Sequence, residues 1–277
     1  MVTTHVIRKL NFGSRKYAAF TLIELLVVIA IIALLMAILI PALGRAKDQA
    51  KNVVCLSRLK EFSIMYEMYF QDNDDSLPGG WTSGKMWMVD LLKYYGGEDD
   101  VRLCPKATKF LSDTPDPFDA GVFTAWGKYG EGSWINYNPI WAEKGMYGSY
   151  GVNGWAFNPP NESVSDTDSI APDEFPLFWR KRTKVKRPDI VPLMGGSMYE
   201  GSRPKVSNSP STEEGMQVNE MSDFCLPRHN GKVNMMFIDT SARGVGLKEL
   251  WSLKWHTEWK APRINWSNYE WINKYPD

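Results

Sequence analysis

Residues 20–48 read FTLIELLVVIAIIALLMAILIPALGRAKD, and up to Ile40 the only polar side chains are Thr21 and Glu24. At a helical rise of about 1.5 Å per residue, Phe20–Ile40 spans roughly 30 Å, the thickness of a bilayer's hydrocarbon core. The segment therefore reads as a membrane-spanning helix. A cleaved secretory signal has a shorter apolar region, of roughly 7 to 15 residues, with its small residues behind it. Here Ala18 and Ala19 stand in front of the apolar run, and residues 1–19 carry Arg8, Lys9, Arg15 and Lys16 with no acid. Removal of a basic leader at that point leaves the hydrophobic helix on the mature chain.

Glu24 is then the informative residue. An ionisable group on a membrane helix is a functional hypothesis whose partner has to be named. Cleavage before Phe20 creates a partner, because the new N-terminal amine is a cation about one helical turn from Glu24. In an assembly of staggered parallel helices, the carboxylate of one copy meets the amine of the next. The plain alternative is a side chain that merely reaches up to the headgroups.

The order of basic leader, small residue and Phe20-Thr21-Leu22-Ile23-Glu24-Leu25-Leu26 resembles the class III signal of type IV prepilins and type II secretion pseudopilins. The resemblance implies that a prepilin peptidase cuts between Ala19 and Phe20, that the Phe20 amine is N-methylated, and that Glu24 guides subunit assembly. The family usually has Gly before the cut, where this chain has Ala19. Pro41 falls where pilin helices often carry a proline. The partners implied are the peptidase, other pilin or pseudopilin subunits, an inner-membrane assembly platform and the lipid bilayer. The implied place is the bacterial inner membrane, crossed once with the N-terminus cytoplasmic and the head periplasmic, and the cell exterior when carried in a filament.

Beyond Pro41 the pattern becomes amphipathic. Cys55, Leu59, Phe62, Tyr66 and Tyr69 recur at spacings of 4, 3, 4 and 3, one face of a helix, and the polar run from Asp72 followed by Pro78-Gly79-Gly80 ends it. The expected organisation is a leader (1–19), the transmembrane half of a long helix (20–40), its amphipathic periplasmic half (41–71) and a globular α+β head (72–277). In that pilin-like fold the helix packs on an antiparallel sheet. With 277 residues, 44% of them hydrophobic, the chain can build such a core, and its formal net charge of zero gives no global pull toward nucleic acid.

Within the head, short aromatic runs at Trp87–Tyr95, Ser133–Trp141, Gly148–Phe157 and Phe175–Trp179 suggest short strands, turns and one further helix. Val206–Met221, rich in Ser, Asn and Glu, reads as a loop, either ordered or disordered. From His229 onward, Asn230-Gly231 predicts a type I′ turn, and Val233, Met235 and Phe237 alternate with Asn234, Met236 and Ile238 before a second turn at Asp239–Ala242, with one face toward the core. His229, nine intervening residues and Asp239 resemble the H-x9-DG element of a bacterial group of prepilin-like proteins, with Thr240 in place of the glycine. So do the Cys55 segment, Leu103-Cys104-Pro105, Ser149–Gly154 and Gly246–Trp251. A strand between His229 and Asp239 keeps them roughly 20 Å apart, so each is expected to anchor its own turn, Asp239 as a cap.

Three cysteines allow three disulfide pairings, or buried thiols. The resemblance points to Cys55 with Cys104, since both lie in family-like segments. Asp72-Asn73-Asp74 begins like an EF-hand loop, but positions six and twelve are Leu77 and Ser83, so the required Gly and Glu are missing. No metal site is expected from spacing. The resemblance to major pseudopilins implies at most a calcium in the head, with Asp239 as its first candidate. Arg180–Arg187 holds six basic residues in eight, a solvated face or a contact for DNA, anionic glycan or an acidic subunit. Trp81, Trp87, Trp126, Trp134, Trp141 and Trp155 allow a sugar-stacking surface, though such residues more often fill cores. With three histidines, one of them in the leader, and no catalytic fingerprint, an enzyme is not expected and no cofactor is called for. Two functions stand: a structural subunit of a type IV pilus or secretion pseudopilus, and a membrane-tethered binding module, for polysaccharide or another ligand, that uses the same signal.

Overall fold

The computed structural model describes residues 21–83, 85–111, 121–128, 145–160 and 170–275. It divides into two units, 1–47 and 48–277. The expected cleavage pair and the run Ser133–Trp141 lie outside the described residues.

Helix α1 spans Leu22–Asp72, 51 residues, and continues through Pro41. In the first unit every described residue, 21–47, is exposed. This part of α1 is long and apolar enough to cross a membrane.

The second unit takes up α1 from Asp48. Cys55, Leu59, Phe62, Ser63, Tyr66 and Phe70 are buried, which makes Phe70 rather than the expected Tyr69 the end of the stripe. A step of four residues turns 400° and stays nearer the stripe than a step of three, which turns 300°. Tyr69 flanks the stripe, half-buried against Tyr94 with ring centroids 6.1 Å apart. Past Asp72 the chain reverses through Asp74 and Asp75, both left-handed at φ +50° and +58°. Arg182 holds this reversal: it donates from Nη1 to the Glu67 carboxylate at 2.7 Å and from Nε to Asp75 at 2.5 Å, and lies 4.8 Å from the centre of the Phe70 ring. Asp72 accepts from Lys93 at 2.8 Å and from the Tyr94 hydroxyl at 2.9 Å. Asp72, the first acid of the calcium-like run, is thus paired with the protein's own cation.

Trp87–Tyr95 forms two short helices, α2 (Trp87–Asp90) and α3 (Leu92–Tyr95). A small sheet joins β1 (Lys109–Phe110), β2 (Thr124–Gly127) and β3 (Tyr147–Gly148). The main sheet uses β4 (Tyr150–Asn153), β5 (Pro192–Gly196), β6 (Gly201–Ser202), β7 (Lys232–Phe237) and β8 (Ala242–Gly246), in the order β6-β4-β5-β7-β8. The expected antiparallel sheet is in fact mixed. β4–β5, β5–β7 and β7–β8 are antiparallel, but β6 joins the edge parallel to β4.

Asn230 and Gly231 both have positive φ, +54° and +78°, and His229 and Lys232 exchange backbone hydrogen bonds of 3.0 and 3.2 Å around them, the expected type I′ turn. A Cβ on Gly231 would stand 2.4 Å from the Tyr275 side chain. That turn leads into β7, whose hairpin partner is β8. β7 departs from the one-faced pattern: Val233 to Phe237 are all buried, because the strand lies between β5 and β8 with both of its faces covered. Asn234 faces α1 and donates to Asn52 Oδ1 at 2.7 Å.

Val206–Met221 has no helix or strand, but it is pinned rather than disordered. Trp251 Nε1 donates to Asn208 O at 2.7 Å, Trp271 Nε1 to Ser211 O at 2.9 Å and the Tyr275 hydroxyl to Glu214 at 3.0 Å. Indole and phenol donors from the C-terminal segment take up polar groups that composition alone assigns to water.

In the β7–β8 turn, Asp239 Oδ1 accepts from Ser241 N at 2.9 Å and from its hydroxyl at 2.6 Å, the expected cap. Thr240 stands at φ +64°, where a Cβ, and a branched one above all, is disfavoured. Thr240→Gly is therefore expected to raise stability by about 1 kcal/mol, measured as the shift in chemical denaturation of the full chain in detergent.

Candidate functional site

At the start of α1, Glu24 Oε2 accepts from Thr21 N at 2.8 Å and from Thr21 Oγ1 at 2.8 Å, and Thr21 Oγ1 accepts from Glu24 N at 3.2 Å. This is a capping box, with Thr21 as the cap and Glu24 at the third helical position. Within one chain, then, Glu24 already has a partner. The pattern Thr21-x-x-Glu24 ahead of an apolar run is the signal of such a box in the sequence.

In the head, the scattered family-like segments converge. Cys55 on α1, Cys104 in the loop after Asp99–Arg102 and His229 before β7 bring two sulfurs and a ring nitrogen within 4.8 Å of one another, all buried. It is the one grouping of three or more His, Cys, Asp or Glu donors among the described residues, and Asp239 has no part in it. Cys104 Sγ lies 3.3 Å from His229 Nε2. The Tyr150 hydroxyl stands 3.2 Å from Cys55 Sγ, and Cys104 N donates to Ser149 Oγ at 2.6 Å. Arg58 donates to Leu103 O, so the helix also holds the Cys104 loop. Cys55, Cys104 and Cys225 are free thiols, and the expected pair, Cys55 and Cys104, is the one brought together.

Arg228 lies beneath this cluster, 1% exposed. Among the described residues its guanidinium donates to carbonyls: Val122 O at 2.5 Å, Ser149 O at 2.8 Å, Thr124 O at 2.5 Å and Ser197 O at 3.0 Å. Burial lowers its pKa, and the neighbouring Cys104, Cys55 and Tyr150 groups oppose that shift. Hydrogen bonding from the Cys55 thiol, then from His229, together with the Arg228 charge, lowers the pKa of Cys104, while burial raises that of Cys55. A buried cation facing a sulfur that favours its anion is an electrostatic pair that neither residue announces alone.

The front of the chain has recognisable relatives. Residues 14–40 match the prokaryotic N-terminal methylation motif. The chain is 42% identical over 77 residues to the type IV wide pilus major component PilA4 of Thermus thermophilus, covering 28% of this chain and 55% of the relative. It is 37% identical over 59 residues to the type II secretion system core protein G of Pseudomonas aeruginosa, covering 21% of this chain and 42% of that one. The chain thus spans about half the length of the curated relatives it matches. No solved structure matches it significantly. The methylation motif contains Ala19, Phe20 and Glu24, so the capping box is built from residues of the motif itself.

Away from the motif, the described tryptophans of the expected set make no sugar platform. Trp87, Trp126 and Trp155 are fully buried and Trp81 is partly so; Trp134 and Trp141 lie outside the described residues. Of the basic run, Arg182 is structural, and Lys184 and Lys186 line a groove of about 450 Å³ with Phe175, Trp179 and Lys254.

One buried acid lies outside these sites. Asp223 accepts from the Ser202 hydroxyl; burial pushes its pKa up from 3.8 to about 7, against hydrogen bonds from Ser202 and Gln217 that lower it. The unfolded chain releases this proton near pH 4 and the folded chain only near pH 7. The stability it contributes is therefore whole below about pH 4 and is lost as pH rises to about 7. Asp223→Asn is expected to flatten that decline and to raise stability at pH 8 by on the order of a few kcal/mol, read from denaturation midpoints across pH 4–8.

Proposed function

We propose that this chain is a structural subunit of a type IV pilus or a type II secretion pseudopilus, with a mechanical rather than a catalytic role. The observation that carries this reading is the first unit: an apolar helix whose side chains from Leu22 to Ile40 are all exposed among the described residues, within a match to the methylation motif. In water such a surface has no stable place, so lipid covers it before assembly and neighbouring helices cover it afterwards. Prepilin peptidase cuts between Ala19 and Phe20, the Phe20 amine is methylated, and the subunit waits in the inner membrane with its head in the periplasm. An assembly platform then draws it into a filament, where the Glu24 carboxylate meets the Phe20 amine of the next copy.

The capping box adds a second role for Glu24, holding the helix start in order through Thr21. Glutamine serves equally in a capping box but carries no charge, so Glu24→Gln separates the two roles. Both Glu24→Gln and Glu24→Ala are expected to stay in the membrane and to lose filament incorporation at least tenfold, scored in sheared filament fractions. Normal incorporation of Glu24→Gln would reduce Glu24 to a cap. Mass spectrometry of the mature N-terminus is expected to find methylated phenylalanine at residue 20; recovery with residues 1–19 still attached would end the proposal.

A further inference from the structure

We propose that Cys55, Cys104 and His229 bind one thiophilic d10 metal ion, zinc(II) or copper(I), which clamps α1 to the sheet of the head. The three donors come from a helix, a loop and the approach to a strand, and they are 1%, 0% and 6% exposed. Their ligand atoms all lie within 4.8 Å of one another. The 3.3 Å between Cys104 Sγ and His229 Nε2 is close to the roughly 3.5 Å separating sulfur and nitrogen that share a tetrahedral zinc at bond lengths of about 2.3 and 2.0 Å. Two sulfurs and an imidazole are a soft donor set, which selects zinc and copper(I) over calcium or magnesium.

The surroundings fit an anionic sulfur pair. Arg228 is buried, and among the described residues its hydrogen-bond acceptors are all carbonyls, so its charge calls for a nearby anion. Two thiolates supply it. Bound copper(I) leaves the site with one net negative charge that the guanidinium balances, and bound zinc(II) leaves it neutral. The Tyr150 hydroxyl and the Asn234 amide face the Cys55 sulfur, the position of outer donors that steady a metal-bound thiolate. His229 Nδ1 and Asn234 Oδ1 are buried with no partner among the described residues. A Cys55–Cys104 disulfide uses the same sulfurs but removes both thiolates, and so leaves no negative sulfur opposite Arg228. Binding involves no electron transfer: the ion displaces the two thiol protons into solvent as the chain folds around it.

The test uses the full chain in detergent, purified without added metal or chelator. Elemental analysis is expected to find about one zinc or copper per chain, and whichever ion is present identifies the occupant. After reduction and metal removal, the chain is titrated separately with zinc(II), with copper(I) under anaerobic conditions, and with cobalt(II), whose thiolate charge-transfer absorption reports sulfur ligation without any variant. Cys225→Ser is expected to keep the ion, and His229→Gln to weaken binding by at least about tenfold. A Cys55–Cys104 disulfide found by peptide mapping of the purified chain, failure of the reduced folded chain to take up any of the three ions, or equal loss of binding in Cys225→Ser would overturn the proposal.

Discussion

A long helix whose apolar first half is exposed throughout its described residues is the constraint on which the rest of this molecule depends. Every described residue up to 47 is exposed, and at about 25 cal/mol per Å² of apolar area that exposure in water far outweighs the stability of an ordinary domain. The second half of α1 meets the opposite demand. Its stripe from Cys55 to Phe70 is fully buried and forms part of one continuous core with the sheet and the C-terminal tryptophans. One uninterrupted secondary-structure element is therefore built for two solvents, and the sequence changes character near Pro41 to suit them.

Much of this was legible because local physics leaves few alternatives. An apolar run of bilayer length, a 3.6-residue stripe and an Asn-Gly turn each have one economical backbone solution, and α1 and the turn at Asn230 follow them. The parts that escaped depend on distant residues. β6 is two residues long, too short to carry any period, and its parallel pairing with β4 exists only because the chain returns there. β7 alternates in sequence, yet both its faces are covered by elements far away in the chain. The polar loop at 206–221 is ordered by indoles some 40 to 60 residues downstream. The capping box is the opposite case, a local feature whose two residues, Thr21 and Glu24, are three apart in the chain.

The candidate site in the head shows the same division. Cys55, Cys104 and His229 have no metal-like spacing, and their convergence is a property of topology. The segments around them resembled family elements one at a time, but only the fold shows that they describe one place. Ser149 accepts from the Cys104 amide and from Arg228, Tyr150 reaches the Cys55 sulfur, and Asn153 donates to Pro192 O at 3.0 Å and to Trp255 O at 2.8 Å. Arg228, next to the histidine, attracted no notice because a lone arginine reads as surface. Burial turned it into the charge that organises its neighbours.

The way α1 lies along the head has a mechanical corollary. A pull along its axis meets the contacts from Cys55 to Phe70 side by side, so they share the load as a lap joint does and must slip together. Arg182, gripping Glu67 and Asp75 at the far end of the overlap, acts as the stop against sliding. A pull entering the head along α1 is thereby resisted in shear.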